Sequence, residues 1–306
     1  MALNILFMGT TKFSAKVLEN LYNSKHRVIC VYSQPPSKKK RGQKILPSPV
    51  QTKAENYKIQ IRIPNDLKNP EELDFLRSIK PDVVVVAAYG KLIPKEYLDL
   101  PNILFLNLHA SLLPKFRGAA PIERSILKME KETGISIMKI VPKLDEGPYT
   151  RQIKVKLNIN TTAGELSDKL AQLGSQAMIH SLNDLEKNNI NFIEQDHKNS
   201  TYAKKIQKSE TKINWQQDAE KVIAQINAFN PNPGAWFLFK NKRYKVLKAV
   251  KILKSDAPGV VIDGNLTIAC KKNSIQIISL QKEGKQVSSA KEFLLGNEIK
   301  KGTKLS

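Results

Sequence analysis

Cysteine is scarce in this chain of 306 residues: there are two, Cys30 and Cys270, far apart in sequence. Two cysteines so placed build neither a disulfide framework nor a CxxC metal site. Long apolar runs are absent as well. The longest, Val83 to Tyr89, is far too short for a bilayer, which needs about 20 residues. The opening Met1-Ala2-Leu3-Asn4 has no basic region of the kind that starts a secretory leader, so a cytoplasmic location and no membrane partner are expected. There is no Gly-x-Gly-x-x-Gly after the first apolar run, no Gly-Lys-Ser/Thr and no His-Glu-x-x-His. Neither a dinucleotide, a nucleoside triphosphate nor a catalytic metal is therefore indicated.

Acidic residues are the minority, 28 against 50 lysines and arginines, for a net charge of +22. Such a surplus attracts polyanions, chiefly nucleic acid, through contacts indifferent to sequence. Most of it is lysine, which A/T-rich coding also produces, so charge alone leaves a solvated surface equally open. Hydrophobic residues make up 41%, enough for a packed core in one large domain or two ordinary ones. A monomer is expected.

Apolar patterning divides the chain. Strands are expected at 3–7, 27–32, 83–88, 103–109, 135–141 and 152–157, with helices at 13–22, 71–79, 121–129 and 162–182. Val83 to Ala88 is the continuous β-branched run of a strand covered on both faces. Thr162 with Glu165 three residues on is a capping-box signal. Residues 34–49, rich in proline, lysine and glycine, read as one long loop. Alternating strands and helices predict an α/β fold: a Rossmann-like, mostly parallel sheet with helices on both faces. After the polar stretch around Asp196 the pattern changes to one helix, 219–229, and short strands at 235–239, 243–250, 259–262, 266–269 and 274–280. That predicts a small OB-like β-barrel. The expected organisation is 1–190 catalytic, 191–205 linker and 206–306 a nucleic-acid-binding barrel.

The most informative stretch is Leu106-Asn107-Leu108-His109-Ala110-Ser111-Leu112-Leu113-Pro114, closed by Arg117-Gly118-Ala119-Ala120-Pro121. On a strand the side-chain period is two, so Asn107 and His109 face the same way while Leu106 and Leu108 face the opposite layer. A hydrogen-bond donor and a titratable ring thus sit side by side where the strand ends, which is where ligands collect in open parallel sheets. Taken singly, each has a bland alternative: a turn residue for Asn107, a satisfied structural ring for His109. His26, His180 and His197 lack any such partner and read as structural or solvated.

These motifs resemble the folate-dependent formyltransferases. Other segments resemble that family in the right order: Phe7-Met8-Gly9-Thr10, Ala87-Ala88-Tyr89-Gly90, Thr133 to Met138, Leu144-Asp145-Glu146-Gly147, Thr201-Tyr202-Ala203 and Ala228-Phe229-Asn230-Pro231. The resemblance spans nearly the whole chain. It departs at Thr11, where proline is usual, at Ser14, where alanine is usual, at Pro36 and Ser37 in the basic loop, and at Glu146-Gly147-Pro148.

The resemblance implies transfer of the formyl group of 10-formyltetrahydrofolate to the α-amino group of methionine carried on initiator tRNA. Formyl transfer needs a fixed donor for a developing oxyanion, and the Asn107 amide suits it. It also needs a group to move protons between nitrogens, a task for His109. Asp145 would orient and polarise that ring. The family implies the same three as the catalytic set, with Ser111, Leu112, Leu113, Pro114, Tyr89 and Gly90 around the folate. It also implies that the first basic loop, with Lys38, Lys39, Lys40, Arg41 and Lys44, meets the tRNA. A second basic stripe, Lys240, Lys242, Arg243 and Lys245, lies in the barrel region and suits phosphate tracking. The alternative is a formyltransferase for a small amine such as an amino sugar nucleotide, which has no evident use for two basic regions. An RNA-binding protein with an inert site is a third reading, opposed by the intact Asn107, His109 and Asp145.

Overall fold

The computed structural model describes residues 1–39, 44–297 and 299–306. In chain order its first elements are β1 (Asn4–Gly9), α1 (Lys12–Tyr22), β2 (Arg27–Tyr32), β3 (Ser37–Lys39), β4 (Lys44–Leu46), α2 (Pro49–Asn56), β5 (Gln60–Arg62), α3 (Pro70–Ile79) and β6 (Val83–Ala87). Then come α4 (Lys95–Leu98), β7 (Leu104–His109), α5 (Pro121–Leu127), β8 (Glu132–Lys139), β9 (Tyr149–Lys156) and α6 (Ala163–Glu186). Two compact units emerge. The first comprises Met1–Pro121, Thr133–Val155 and Ser167–Ala203; the second comprises Ile122–Glu132, Lys156–Leu166 and Lys204–Ser306.

The first unit carries a seven-stranded sheet in the order β5-β2-β1-β6-β7-β8-β9. The strands from β5 to β7 run parallel, and β8 pairs antiparallel with β7. Every residue of β6 is buried, as its unbroken valines require. The chain steps outward from β1 through β2 to β5, then returns to the other side of β1 with β6. The carboxyl ends of β1 and β6 therefore flank the switch point of the sheet, the usual ligand crevice of open α/β folds. Gly9 closes β1 there because a Cβ would stand 2.6 Å from the Ser14 Cβ and 3.0 Å from the Ala87 carbonyl oxygen. On one side of the sheet, Arg62 grips Glu72 with two bonds of 2.7 and 2.8 Å and lies over the Phe75 ring. Cys30 is fully buried in the same layer.

The loop expected at 34–49 needs correction. It contains the antiparallel pair β3–β4 and ends in α2, whose first turn is capped by the Ser48 side chain. Lysines at 38, 39 and 44 conceal the strand signal, because alternation cannot be read where half the positions are charged. The Thr162–Glu165 capping box does form: the Glu165 amide donates to Thr162 Oγ1 at 3.3 Å, and the Thr162 amide donates to the Glu165 carboxylate at 3.1 Å.

The second unit holds α7 (Ala219–Ala228), β10 (Ala235–Phe239), β11 (Lys242–Ile252), β12 (Thr267–Ala269), β13 (Ser274–Lys282), β14 (Val287–Ser289) and α8 (Ala290–Gly296). Its antiparallel sheet runs β10-β11-β13-β12, with β14 also on β13. Register breaks on either side of Lys248 bend β11, and the sheet curls as the wall of a small barrel. The strand expected at 259–262 is instead two isolated bridges, Val260 to Lys304 and Val261 to Ile268. Gly259 at φ +87° on one side and the turn after Asp263 on the other leave too few residues for a ladder. Cys270 is buried and, like Cys30, unpaired.

Candidate active site

β7 ends as its spacing requires. Leu106 and Leu108 are buried, while Asn107 is half-buried and its side-chain amide has no hydrogen-bond partner among the described residues. His109 is 6% exposed, and its Nε2 lies 2.9 Å from the carbonyl oxygen of Phe116. A carbonyl only accepts, so Nε2 carries a proton and Nδ1 is the nitrogen turned the other way. What it faces is Asp145, whose Oδ2 stands 3.6 Å off. That carboxylate belongs to the loop between β8 and β9, at a residue with φ +53°. The same oxygen accepts the Gly118 amide proton at 2.7 Å. Asn107, His109 and Asp145 thus converge at one end of the sheet: an unpaired amide, a basic nitrogen, and an anion beside it.

The six residues expected around the folate divide. Ser111 is buried and its hydroxyl donates to the Lys115 carbonyl, so it ties the turn together. Leu113 is buried, its amide donating to Ser136 Oγ at 3.0 Å and its carbonyl accepting from Gln152 Nε2 at 2.8 Å. Leu112 and Pro114 are half-buried and present a surface; Gly90 is exposed, at φ +82°. Tyr89 departs from the expectation. Its ring is 1% exposed, packed with Leu6, Leu67 and Tyr97, and burial pushes its hydroxyl pKa upward. Only its backbone serves the crevice: the Tyr89 carbonyl accepts from Thr10 Oγ1 and from Gln34 Nε2, each at 2.8 Å. The left-handed turn at Ala88 drives the ring inward, and periodicity cannot reveal that.

Sequence reasoning missed two residues beside the triad. Arg117 was noted only as part of its motif, yet among the described residues it is the largest fully buried side chain. Gln195, inside the segment expected as a linker, is buried and bonds both Arg117 and the Asp145 loop. Its surroundings in sequence are polar, and nothing there marks it.

Of the basic residues, Lys38 and Lys39 lie on β3 and Lys44 on β4, while Lys40 and Arg41 fall outside the described residues. In the second unit Lys240, Lys242 and Arg243 are exposed and Lys245 is half-buried. The register sets Lys245 opposite Trp236 and Arg243 opposite Leu238. Arg243 stacks on the Trp236 ring, 4.0 Å from its centroid, and the indole N–H donates to Thr211 Oγ1 at 2.9 Å. Trp215 is core. Among the described residues there is no cluster of three metal-ligating side chains, and no helix is long and apolar enough to cross a membrane.

Residues 3–182 match the formyl transferase family, and residues 205–298 match the formyl transferase C-terminal domain. The chain belongs to the formyl transferase family. This formyl transferase is 47% identical over 308 residues to a methionyl-tRNA formyltransferase of Pelagibacter ubique (strain HTCC1062), covering 100% of this chain and 99% of the relative. It is 40% identical over 304 residues to one from Brucella melitensis biotype 2, covering 98% and 99%. Among solved structures, an N-formyltransferase from Helicobacter canadensis with folinic acid and dTDP-3-aminofucose matches at TM-score 0.69 and 18% identity, over 92% of this chain and 99% of that one. HypX from Aquifex aeolicus in complex with tetrahydrofolic acid matches at TM-score 0.68 and 16% identity, over 99% of this chain and 51% of that one. This formyl transferase thus spans about half the length of HypX, and at these identities the likeness is one of fold.

Proposed function

We propose that this chain transfers the formyl group of 10-formyltetrahydrofolate to the α-amino group of methionyl initiator tRNA, giving N-formylmethionyl-tRNA. The observation that carries the reading is the meeting of Asn107, His109 and Asp145 at the end of β7. It occurs in a chain aligned end to end with relatives that are named methionyl-tRNA formyltransferase.

The folate supplies an electrophilic carbonyl carbon. The turn at 111–114 and the exposed backbone at Gly90 fit such a ligand: Leu112 and Pro114 offer apolar cover, and the unpaired Asn107 amide is free to point at a carbonyl oxygen. As the amine nitrogen bonds to the formyl carbon, charge builds on that oxygen and Asn107 donates to it. His109 Nδ1 accepts the proton that the amine must lose, while Nε2 stays bonded to Phe116. Asp145 stabilises the cation so formed, being held by Gly118 rather than by the ring itself. The proton then returns to the nitrogen from which the formyl carbon departs. We assign residues 1–190 to this chemistry, 191–205 to the connection, and 206–306 to holding tRNA.

The test is direct. The protein is incubated with 10-formyltetrahydrofolate and methionyl initiator tRNA, and N-formylmethionine is sought. A parallel incubation offers an amino sugar nucleotide. Formylation of the sugar and not the tRNA overturns the reading. Acceptor binding should weaken steeply with salt, because phosphate contacts release counterions.

A further inference from the structure

We infer that Arg117 and Gln195 are positioning residues that hold Asp145 in register with His109. The inference rests on the formyl-transfer reading above and deepens its site.

Burying a guanidinium is costly unless its donors are met. Arg117 is 1% exposed, and the first unit meets those donors from two sides. Its Nε and Nη2 donate to Gln195 Oε1 at 3.2 and 2.7 Å. Nη2 also donates to His197 Nδ1 at 2.9 Å, and Nη1 lies 3.3 Å from a carboxylate oxygen of Glu146, the neighbour of Asp145. Its backbone is anchored too: the Arg117 amide donates to the Thr201 carbonyl at 2.8 Å, and the Ala203 amide donates to the Arg117 carbonyl at 2.6 Å.

An arginine only donates, so the oxygen of the Gln195 amide must face it. That fixes which end of the amide points at the loop. The nitrogen end donates to the carbonyls of Asp145 at 2.9 Å and Gly147 at 2.6 Å. The loop is thereby pinned on both sides of Glu146, at a residue whose backbone is left-handed. Gly118, next to Arg117, meets the carboxylate of the same aspartate. Residues 117 and 118 therefore clamp Asp145 twice, by its carbonyl through Gln195 and by its carboxylate through an amide. Neither positioning side chain lies within hydrogen-bond distance of His109 among the described residues, so both act through Asp145.

The experiment compares wild type, Gln195→Ala, Gln195→Glu, Asp145→Asn and the double variant Q195A/D145N. A misplacement of about 1 Å can cost about 100-fold. Q195A should therefore lower kcat for methionyl-tRNA about 10- to 100-fold, with KM for both substrates within about twofold. Q195E still accepts from Arg117 but donates nothing to the carbonyls, and should be as slow. In the D145N background the same alanine change should cost less than about threefold, because its effect passes through the missing carboxylate. Hydrogen exchange of the Gly118 amide is read on the protein alone. It should quicken about tenfold in Q195A, while amides of β6 and β7 keep wild-type protection.

Full activity per folded molecule in Q195A, an equal cost with and without Asp145, or unchanged Gly118 exchange would each overturn the inference. A wild-type protein that formylates no tRNA would instead sink the functional reading, and the Gly118 measurement would still decide the clamp.

Discussion

His109 gives its Nε2 proton to the Phe116 carbonyl at 2.9 Å, and that bond decides that Nδ1 is the nitrogen facing Asp145. The separation of 3.6 Å is beyond a good hydrogen bond. The carboxylate is satisfied by the Gly118 amide instead, at 2.7 Å. The ring is thus oriented by a backbone carbonyl and the anion by a backbone amide, so each keeps its place whether or not the other is charged.

Asp145→Asn should separate orientation from charge. The amide can still accept from Gly118, so the fold should hold. The cation on His109 loses its counter-charge, and kcat should fall about 100-fold or more with tRNA affinity unchanged. Steady-state kinetics beside a filter-binding titration checks this. A parallel loss of tRNA binding would contradict it.

Asn107→Ala should lower kcat by about 10²–10³ with little change in melting temperature. Its side chain is half-buried and has no hydrogen-bond partner to lose among the described residues. A thermal shift of many degrees would mark the residue as structural instead.

The Arg62–Glu72 pair predicts an acid-sensitive contribution to stability. Burial raises the Glu72 carboxyl, but the bonds from Arg62 outweigh it and leave the group below its ordinary value of 4.5. A lowered native value means stability that is present above that ordinary value and is lost as pH falls through the native one. Glu72→Gln should cost about 1–3 kcal/mol at neutral pH, and the gap to wild type should narrow as pH falls below 4.5 and through the lowered native value. Urea unfolding measured from pH 7 downward reads both.

Arg243→Ala should weaken tRNA binding several-fold and flatten its salt dependence by about one unit of slope, the loss of one phosphate contact. It should leave the folate KM untouched. An unchanged salt slope would show that Arg243 serves only to cover Trp236, on which it stacks.

What the sequence made legible was local. The valines at 83–86 could only be a strand covered on both faces, and a spacing of two put Asn107 and His109 on one side of another. The basic strand pair β3–β4 was hidden because lysine at half its positions erases alternation. That Tyr89 faces the crevice by its backbone alone was not legible, because one left-handed residue, Ala88, turns the ring into the core. The partnership of Arg117 with Gln195 joins residues 78 positions apart, and no periodicity or spacing reports a bond made only when the chain closes on itself.

Cys30 and Cys270 are both fully buried, and burial pushes each thiol up to about 12. At neutral pH neither ionises, and neither can be reached by reagents that need a thiolate. The natural protein is in this sense already silent to maleimide dyes and spin labels. One cysteine introduced in place of the exposed Lys240, at the tip of the β10–β11 hairpin, would take the whole probe. Fluorescence could then follow an RNA approaching that hairpin without first stripping the interior of its sulfur.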